Sequence, residues 1–202
     1  GDFHAGLNMA AVHKAPVLFF CRNNGYAIST PANEQFKGDG IACRGVGYGM
    51  KAIRVDGADI LAVYQATLMA RDYALANNEP VLLESIAYRL GAHSSSDDPS
   101  GYRSKEEEEL WRKNDPIARF RLWLLNKGWL DDAADKAQIE GLRQEILDAL
   151  KVAEKIAKPG IEHLISDVYA EPIPELERQL SELKEHIRKY PEAYPITAGR
   201  ML

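Results

Sequence analysis

The sequence predicts an α/β fold, a parallel sheet flanked by helices, followed by a helical C-terminal region. A short apolar run at residues 16–20 reads as a buried strand, and 52–55 and 80–88 read as a second and a third strand. A helical pattern separates the second strand from the third, which implies a parallel βαβ unit with a right-handed crossover. Beyond residue 104 the patterns are almost all helical. The expected division is therefore an α/β part, residues 1–104, and a helical part, residues 105–202.

Each element has a local reason. Residues 3–14 place Leu7, Ala10 and Ala11 at helical spacing and feed the first strand, Pro16-Val17-Leu18-Phe19-Phe20. A polar loop, 21–30, follows it, and 31–49 reads as irregular and glycine-rich. Ala52-Ile53-Arg54-Val55 is the second strand, closed by the turn signal Asp56-Gly57. Over 59–77, Ile60, Leu61, Val63, Tyr64, Leu68, Met69 and Tyr73 mark an amphipathic helix with Asp59 as its N-cap. The third strand carries Val81, Leu82 and Leu83, and 89–103 is a loop rich in Ser, Asp and Gly. A short acidic helix spans 106–113. Asp115-Pro116 opens the next helix and Gly128 stops it. Residues 131–157 form a longer helix ended by Pro159-Gly160, 164–169 a short extended segment, and 175–190 a charged closing helix. There is no internal repeat and no low-complexity tract.

A chain of 202 residues supports one sizeable core, or a core with a smaller appendage. The formal net charge of -5 argues against a general nucleic-acid binder, which would present a basic field. No apolar run is long enough to span a bilayer. Cys21 and Cys43 sit in unlike contexts, so a disulfide framework is not expected and a reducing compartment is. No signal peptide opens the chain. It begins at Gly1, on a helical pattern and without Met, and the expectation is that an upstream part, with any targeting segment, precedes it.

The stretch most suggestive of chemistry is Cys21-Arg22-Asn23-Asn24-Gly25-Tyr26-Ala27-Ile28-Ser29-Thr30. A buried strand that opens into a polar loop is where open α/β sheets place ligands. Magnesium and calcium take oxygen ligands, and the Asn24 amide with the Tyr26 carbonyl can supply two from one tight loop. Asn-Gly is also an ordinary turn former. Arg22 can clamp a phosphate through its planar fork, although a lone Arg after a strand is commonly only solvated. His93, just past the third strand, lies at the same sheet edge. It can donate to a phosphate or shuttle a proton near neutral pH, and it equally suits a plain surface loop. His4, His13, His163 and His186 receive no role. Gly38-Asp39-Gly40 follows the Asn-Asn loop instead of preceding it, and Gly45-Val46-Gly47-Tyr48-Gly49 lacks dinucleotide spacing, so both are set aside. Glu106-Glu107-Glu108-Glu109 reads as a solvated helix start, since carboxylates favour that end of the dipole.

Asn23-Asn24 after its strand is similar to the second half of the thiamin-diphosphate motif. The longer strings, from Arg22 to Pro31, from Gly38 to Ala42 and from His93 to Arg103, resemble the alpha subunits of branched-chain 2-oxo acid dehydrogenases over essentially the whole chain. The resemblance implies a thiamin-diphosphate-binding fold and the oxidative decarboxylation of branched-chain 2-oxo acids, with acyl transfer to lipoyl groups. It implies magnesium held by Asn24 and by the Tyr26 carbonyl, diphosphate bound by Arg22, and His93 at the cofactor near the reacting centre. Ser94 and, less directly, Ser104 match serines that a dedicated kinase phosphorylates in the mitochondrial enzymes.

Implied partners are a beta subunit, two alpha with two beta, and a lipoyl-bearing acyltransferase; no nucleic acid or membrane is implied. The location would be the mitochondrial matrix in a eukaryote and the cytoplasm in a bacterium. The Gly-acidic-Gly half of the motif is missing, since Gly1-Asp2-Phe3 is not that triplet. The chain is therefore expected to be part of a longer subunit, to bind metal and cofactor weakly alone, and to be inactive without the beta subunit. The alpha subunit of a pyruvate or acetoin dehydrogenase is the nearest alternative. A non-catalytic fragment that acts only in subunit contact is the alternative of another class.

Overall fold

A computed structural model describes residues 1–194; positions 195–202 of the expected helical part lie outside them. Helix α1 (Asp2–Val12) leads into β1 (Leu18–Asn23). Next come a hairpin of β2 (Tyr26–Ala27) and β3 (Thr30–Pro31), then helices α2 (Ala32–Gln35) and α3 (Ala42–Gly47). The strand β4 (Lys51–Asp56), helix α4 (Ile60–Asn77) and strand β5 (Val81–Ile86) complete the sheet region. The sheet order is β1-β5-β4 with parallel pairings throughout, and Asn23 and Asp56 both stand opposite Ile86. The carboxyl ends of the strands thus share one edge, as expected of a βαβ sheet.

The central position of β5 follows from its sequence. Residues buried on both faces read as a continuous apolar run, and Val81, Leu82 and Leu83 are fully buried. Val81 and Leu83 meet α4 through Ala66, Ala70 and Ala74, with Leu18, Ile53 and Val55 around them. Leu82 faces the other way, toward Leu7 of α1 and Met50, with Phe19, Ile41 and Tyr48 at the margin. Helix α3 approaches that face at a glycine, because a Cβ on Gly45 would stand 3.1 Å from Leu82 Cδ2.

Two expectations change in the sheet region. Helix α4 does not bury its large apolar residues: Ile60, Leu61, Tyr64 and Met69 are exposed, and the buried stripe is Ala66-Ala70-Ala74 at four-residue spacing. Small side chains let the helix axis come close to the sheet, so the bulky ones are left on the far side. Residues 31–49 are not wholly irregular, since they contain β3, α2 and α3. Asp59 does cap α4, accepting from Leu61 N at 3.1 Å and Ala62 N at 3.0 Å.

The first compact unit runs from Gly1 to Asp131, past the expected boundary at residue 104. It takes in α5 (Lys105–Arg112) and α6 (Pro116–Asn126). Side chains tie both helices to the sheet edge. Trp111 stacks on Tyr88 with centroids 5.0 Å apart. Arg119 pairs with Asp56 at 2.8 Å and Asp59 at 3.1 Å. Asp115 caps α6 by accepting from Ala118 N at 2.8 Å, and Gly128 takes a φ of 67° just beyond its end, as the sequence signals require.

The second unit starts at Asp132, and its longer elements among the described residues are helices: α7 (Asp132–Lys155), α8 (His163–Ser166) and α9 (Pro174–Lys189). The segment 164–169 is therefore a helical turn instead of an extended one. An extended segment needs a neighbouring edge to satisfy its backbone, and the described residues of this unit contain no strand. No helix among the described residues is long and apolar enough to cross a membrane.

Candidate functional site

The loop after β1 is held by its two asparagines in different ways. Asn23 Oδ1 accepts from Gly25 N at 3.1 Å, and Asn24 Oδ1 accepts from Tyr26 N at 3.1 Å. These successive side-chain turns need tight backbone between them, and Gly25 supplies it with a φ of 82°. The hairpin continues from there, with Ala32 N donating to Gly25 O at 2.8 Å. Tyr26 stands in register with Pro31, and because the flanking pair is closed by Ala32 N to Gly25 O, these two form a non-hydrogen-bonded pair whose carbonyls turn away from the partner strand. That oxygen is therefore left outside the ladder, in the turn where Asn24 Oδ1 accepts from Tyr26 N. Two hard oxygen donors at one turn suit a divalent cation. Ile28, at the hairpin tip, is exposed and held at a φ of 55°, a costly conformation for a β-branched residue.

Beneath this loop lies a residue that the sequence reading missed. Glu84 of β5 is completely buried. It accepts from Asn23 Nδ2 at 2.8 Å, Ile41 N at 2.9 Å, Ala42 N at 2.8 Å and Arg54 Nε at 3.0 Å. Burial alone would raise its pKa, but these donors outweigh burial and hold the carboxyl below its ordinary value. Arg54 is itself paired with Asp39 Oδ1 at 2.9 Å. The set-aside triplet Gly38-Asp39-Gly40 is thus a structural loop around Glu84. The available signal was a carboxylate in the apolar run of a central strand, where an unpaired charge is not tolerated.

Arg22 follows the strand alternation. It lies on the sheet face of Leu18, while Asn23 shares the opposite face with Glu84. Its side chain is exposed and has no ion pair among the described residues.

The loop 89–103 is fastened at several points. Arg89 Nη2 donates to Ile28 O at 2.7 Å, which joins this loop to the hairpin tip. Asp97 Oδ2 accepts from His93 N at 2.8 Å and from the Tyr102 hydroxyl at 2.5 Å. Arg103 is buried, donates to the carbonyls of Arg89 and Gly91, and pairs with Glu108 of α5 at 3.0 Å. His93 and Ser94 are exposed on this loop. The structure therefore brings the loop and the hairpin together. Among the described residues, no hydrogen bond joins the His93 ring to Asn24 or Arg22.

A cavity of about 420 Å³ opens between the hairpin, the end of β5 and α5, lined in part by Asn23, Gly25, Tyr26, Tyr88, Glu107 and Trp111. The Tyr26 hydroxyl donates to both Glu107 oxygens. Burial and the same carboxylate push the Tyr88 phenol up to about 12. No cluster of three or more His, Cys, Asp or Glu side chains able to hold a metal occurs among the described residues. A cation at the loop would rest on amide and carbonyl oxygens, with its remaining ligands supplied by a bound anion, water or other chain segments. Glu106 and Glu109 are exposed, while Glu107 and Glu108 are engaged as described.

A family model described as Dehydrogenase E1 component matches residues 1–162. The protein named "2-oxoisovalerate dehydrogenase subunit alpha, mitochondrial" from Mus musculus is 52% identical over 197 residues, covering 97% of this chain and 45% of that protein. Its counterpart from Homo sapiens is 51% identical, covering 97% of this chain and 44% of that protein. The Dictyostelium discoideum protein of the same name is 51% identical over 198 residues, covering 97% of this chain and 45% of that protein. The chain thus spans less than half the length of these curated relatives.

Proposed function

Given that this chain belongs to the dehydrogenase E1 component family, we propose that it is part of the alpha subunit of a branched-chain 2-oxo acid dehydrogenase that uses thiamin diphosphate and magnesium. Identity near one half to proteins named for 2-oxoisovalerate supports the branched-chain reading over pyruvate or acetoin. The observation that carries the site is the oxygen-donor turn, in which Asn24 Oδ1 accepts from Tyr26 N and the Tyr26 carbonyl belongs to a non-hydrogen-bonded pair of the hairpin. Asn24 and Tyr26 would hold the magnesium, and Arg22, which makes no ion pair among the described residues, would grip the diphosphate through its fork. His93 would donate to the cofactor or move a proton from its anchored loop. When bound, thiamin diphosphate supplies the nucleophilic carbon and the electron sink for loss of carbon dioxide.

The proposed partners are a beta subunit, two with two, and a lipoyl-bearing acyltransferase. The relatives named above are mitochondrial by name, which supports a matrix location if the source is eukaryotic. A cytoplasmic location applies if the source is bacterial. The residues present offer only part of a magnesium ligand set, so the isolated chain should bind weakly and turn nothing over.

The test is calorimetry on the full-length subunit assembled with its beta partner. Saturable thiamin-diphosphate binding that requires magnesium is expected, with turnover of 2-oxoisovalerate faster than that of pyruvate. Absence of magnesium-dependent binding by the assembly would reject the reading, and a preference for pyruvate would shift it to the sister enzyme.

Ser94 and Ser104 are proposed phosphorylation sites. Ser94 is exposed on the His93 loop, where a phosphate would add negative charge near the cofactor. Ser104 caps α5, its Oγ accepting from Glu107 N at 3.1 Å. Mass spectrometry of the native protein should find phosphate on Ser94 first; its absence from both serines removes the proposal.

A further inference from the structure

The geometry points to Glu107 as a positioning residue for the cation-binding loop, acting through Tyr26; this rests on the reading above that the Tyr26 carbonyl is a ligand. Ser104-Lys105-Glu106-Glu107 has the spacing of a capping box, in which the glutamate would turn back to the N–H of its own cap residue. Only half of that box forms. Ser104 Oγ accepts from Glu107 N, but the Glu107 carboxylate leaves its helix end and receives the Tyr26 hydroxyl at 2.9 and 3.1 Å. A local helix-capping role has given way to a bond between residues 81 positions apart.

That bond fixes Tyr26 at its tip. The ring is held as well, edge-on to Tyr88 with centroids 6.2 Å apart and tilted against Tyr102 at 5.9 Å. At the other end, Tyr26 N is bound to Asn24 Oδ1. With both ends of the residue restrained, its carbonyl has little freedom to turn. Magnesium demands near-octahedral geometry, so a ligand oxygen that wanders weakens the site. Hydroxyl-to-carboxylate bonds are also stronger than neutral ones. Removal of such outer partners typically costs 10–100-fold in metal affinity.

The test uses the full-length chain assembled with its partner subunit and titrates magnesium in the presence of saturating thiamin diphosphate. Tyr26→Phe keeps the ring contacts and loses only the hydroxyl. Glu107→Ala loses the acceptor, and Glu107→Gln retains one acceptor oxygen. Tyr26→Phe and Glu107→Ala should each weaken magnesium about 10-fold, the double variant should be no weaker than either, and Glu107→Gln should recover most of the loss. Additive losses would overturn the inference, because two independent structural defects add. So would unchanged magnesium affinity in Tyr26→Phe, which also decides the matter if Glu107→Ala fails to fold. Asn24→Ala serves as the control. If it leaves magnesium affinity intact, the metal reading itself fails; if it removes binding while Tyr26→Phe does not, only the role of Glu107 falls.

Discussion

Glu84→Ala should lower the stability of the first unit by about 3 kcal/mol or more, since each buried donor left without an acceptor costs about 1–3 kcal/mol. The carboxylate is fully buried and satisfies donors from Asn23, Ile41, Ala42 and Arg54. Its loss leaves two backbone N–H groups and an amide without acceptors in a space that water enters poorly. Urea unfolding followed by tryptophan fluorescence reads this unit directly, because Trp111, Trp123 and Trp129 all lie within it. A change under about 1 kcal/mol would show that the network is replaceable, since that is the worth of one ordinary hydrogen bond.

Acid should reveal the same group. Its folded pKa is depressed, so its contribution is complete above the ordinary glutamate range near pH ~4.3. The contribution is lost as pH falls through the folded value. The unfolding midpoint of the parent should therefore drop more steeply below about pH 4.3 than that of Glu84→Gln. Gly40→Ala attacks the network from outside. It would place a Cβ 2.4 Å from Arg54 Nη2 and 2.7 Å from Glu84 Oε1, at a φ of 68°.

The second large effect is expected at Asn24. In the full-length assembly, Asn24→Ala should weaken magnesium-dependent thiamin-diphosphate binding at least about 100-fold, equivalent to about 2.7 kcal/mol. The substitution removes a proposed ligand oxygen and also opens the turn in which that oxygen accepts from Tyr26 N. The second donor then loses its placement along with the first. Asn24→Asp keeps an oxygen at the same point and adds charge, so it should retain most of the affinity. An Asn24→Ala affinity within about threefold of the parent would mean that the cation lies elsewhere, since a lost ligand costs more than an outer partner.

What could be read from the chain was local. Apolar runs at the right length marked β1, β4 and β5, and β5, the strand buried on both faces, is the one that reads without polar alternation. Asp59 and Asp115 announced their helices because an N-cap is a contact within one turn. The asparagine turn was visible for the same reason, since both of its side chains bond two residues ahead. Residue identity over a few positions was enough wherever the stabilising partner was a neighbour.

Long-range partners decided the rest. A glutamate in a strand carries no label that says residues 23, 41, 42 and 54 will converge on it. The apolar side chains of α4 looked like its core face until packing chose the alanine stripe. Glu107 looked like one of four solvated carboxylates at a helix start until Tyr26 arrived from a distant loop. The sequence by itself determined the three strands of the parallel sheet, the caps of α4 and α6 and the oxygen-rich turn, because each depends on short-range sterics and hydrogen bonding. Only the tertiary structure decided which carboxylates are buried and what each holds, because the low dielectric and the donors that set their roles exist only once distant segments have met.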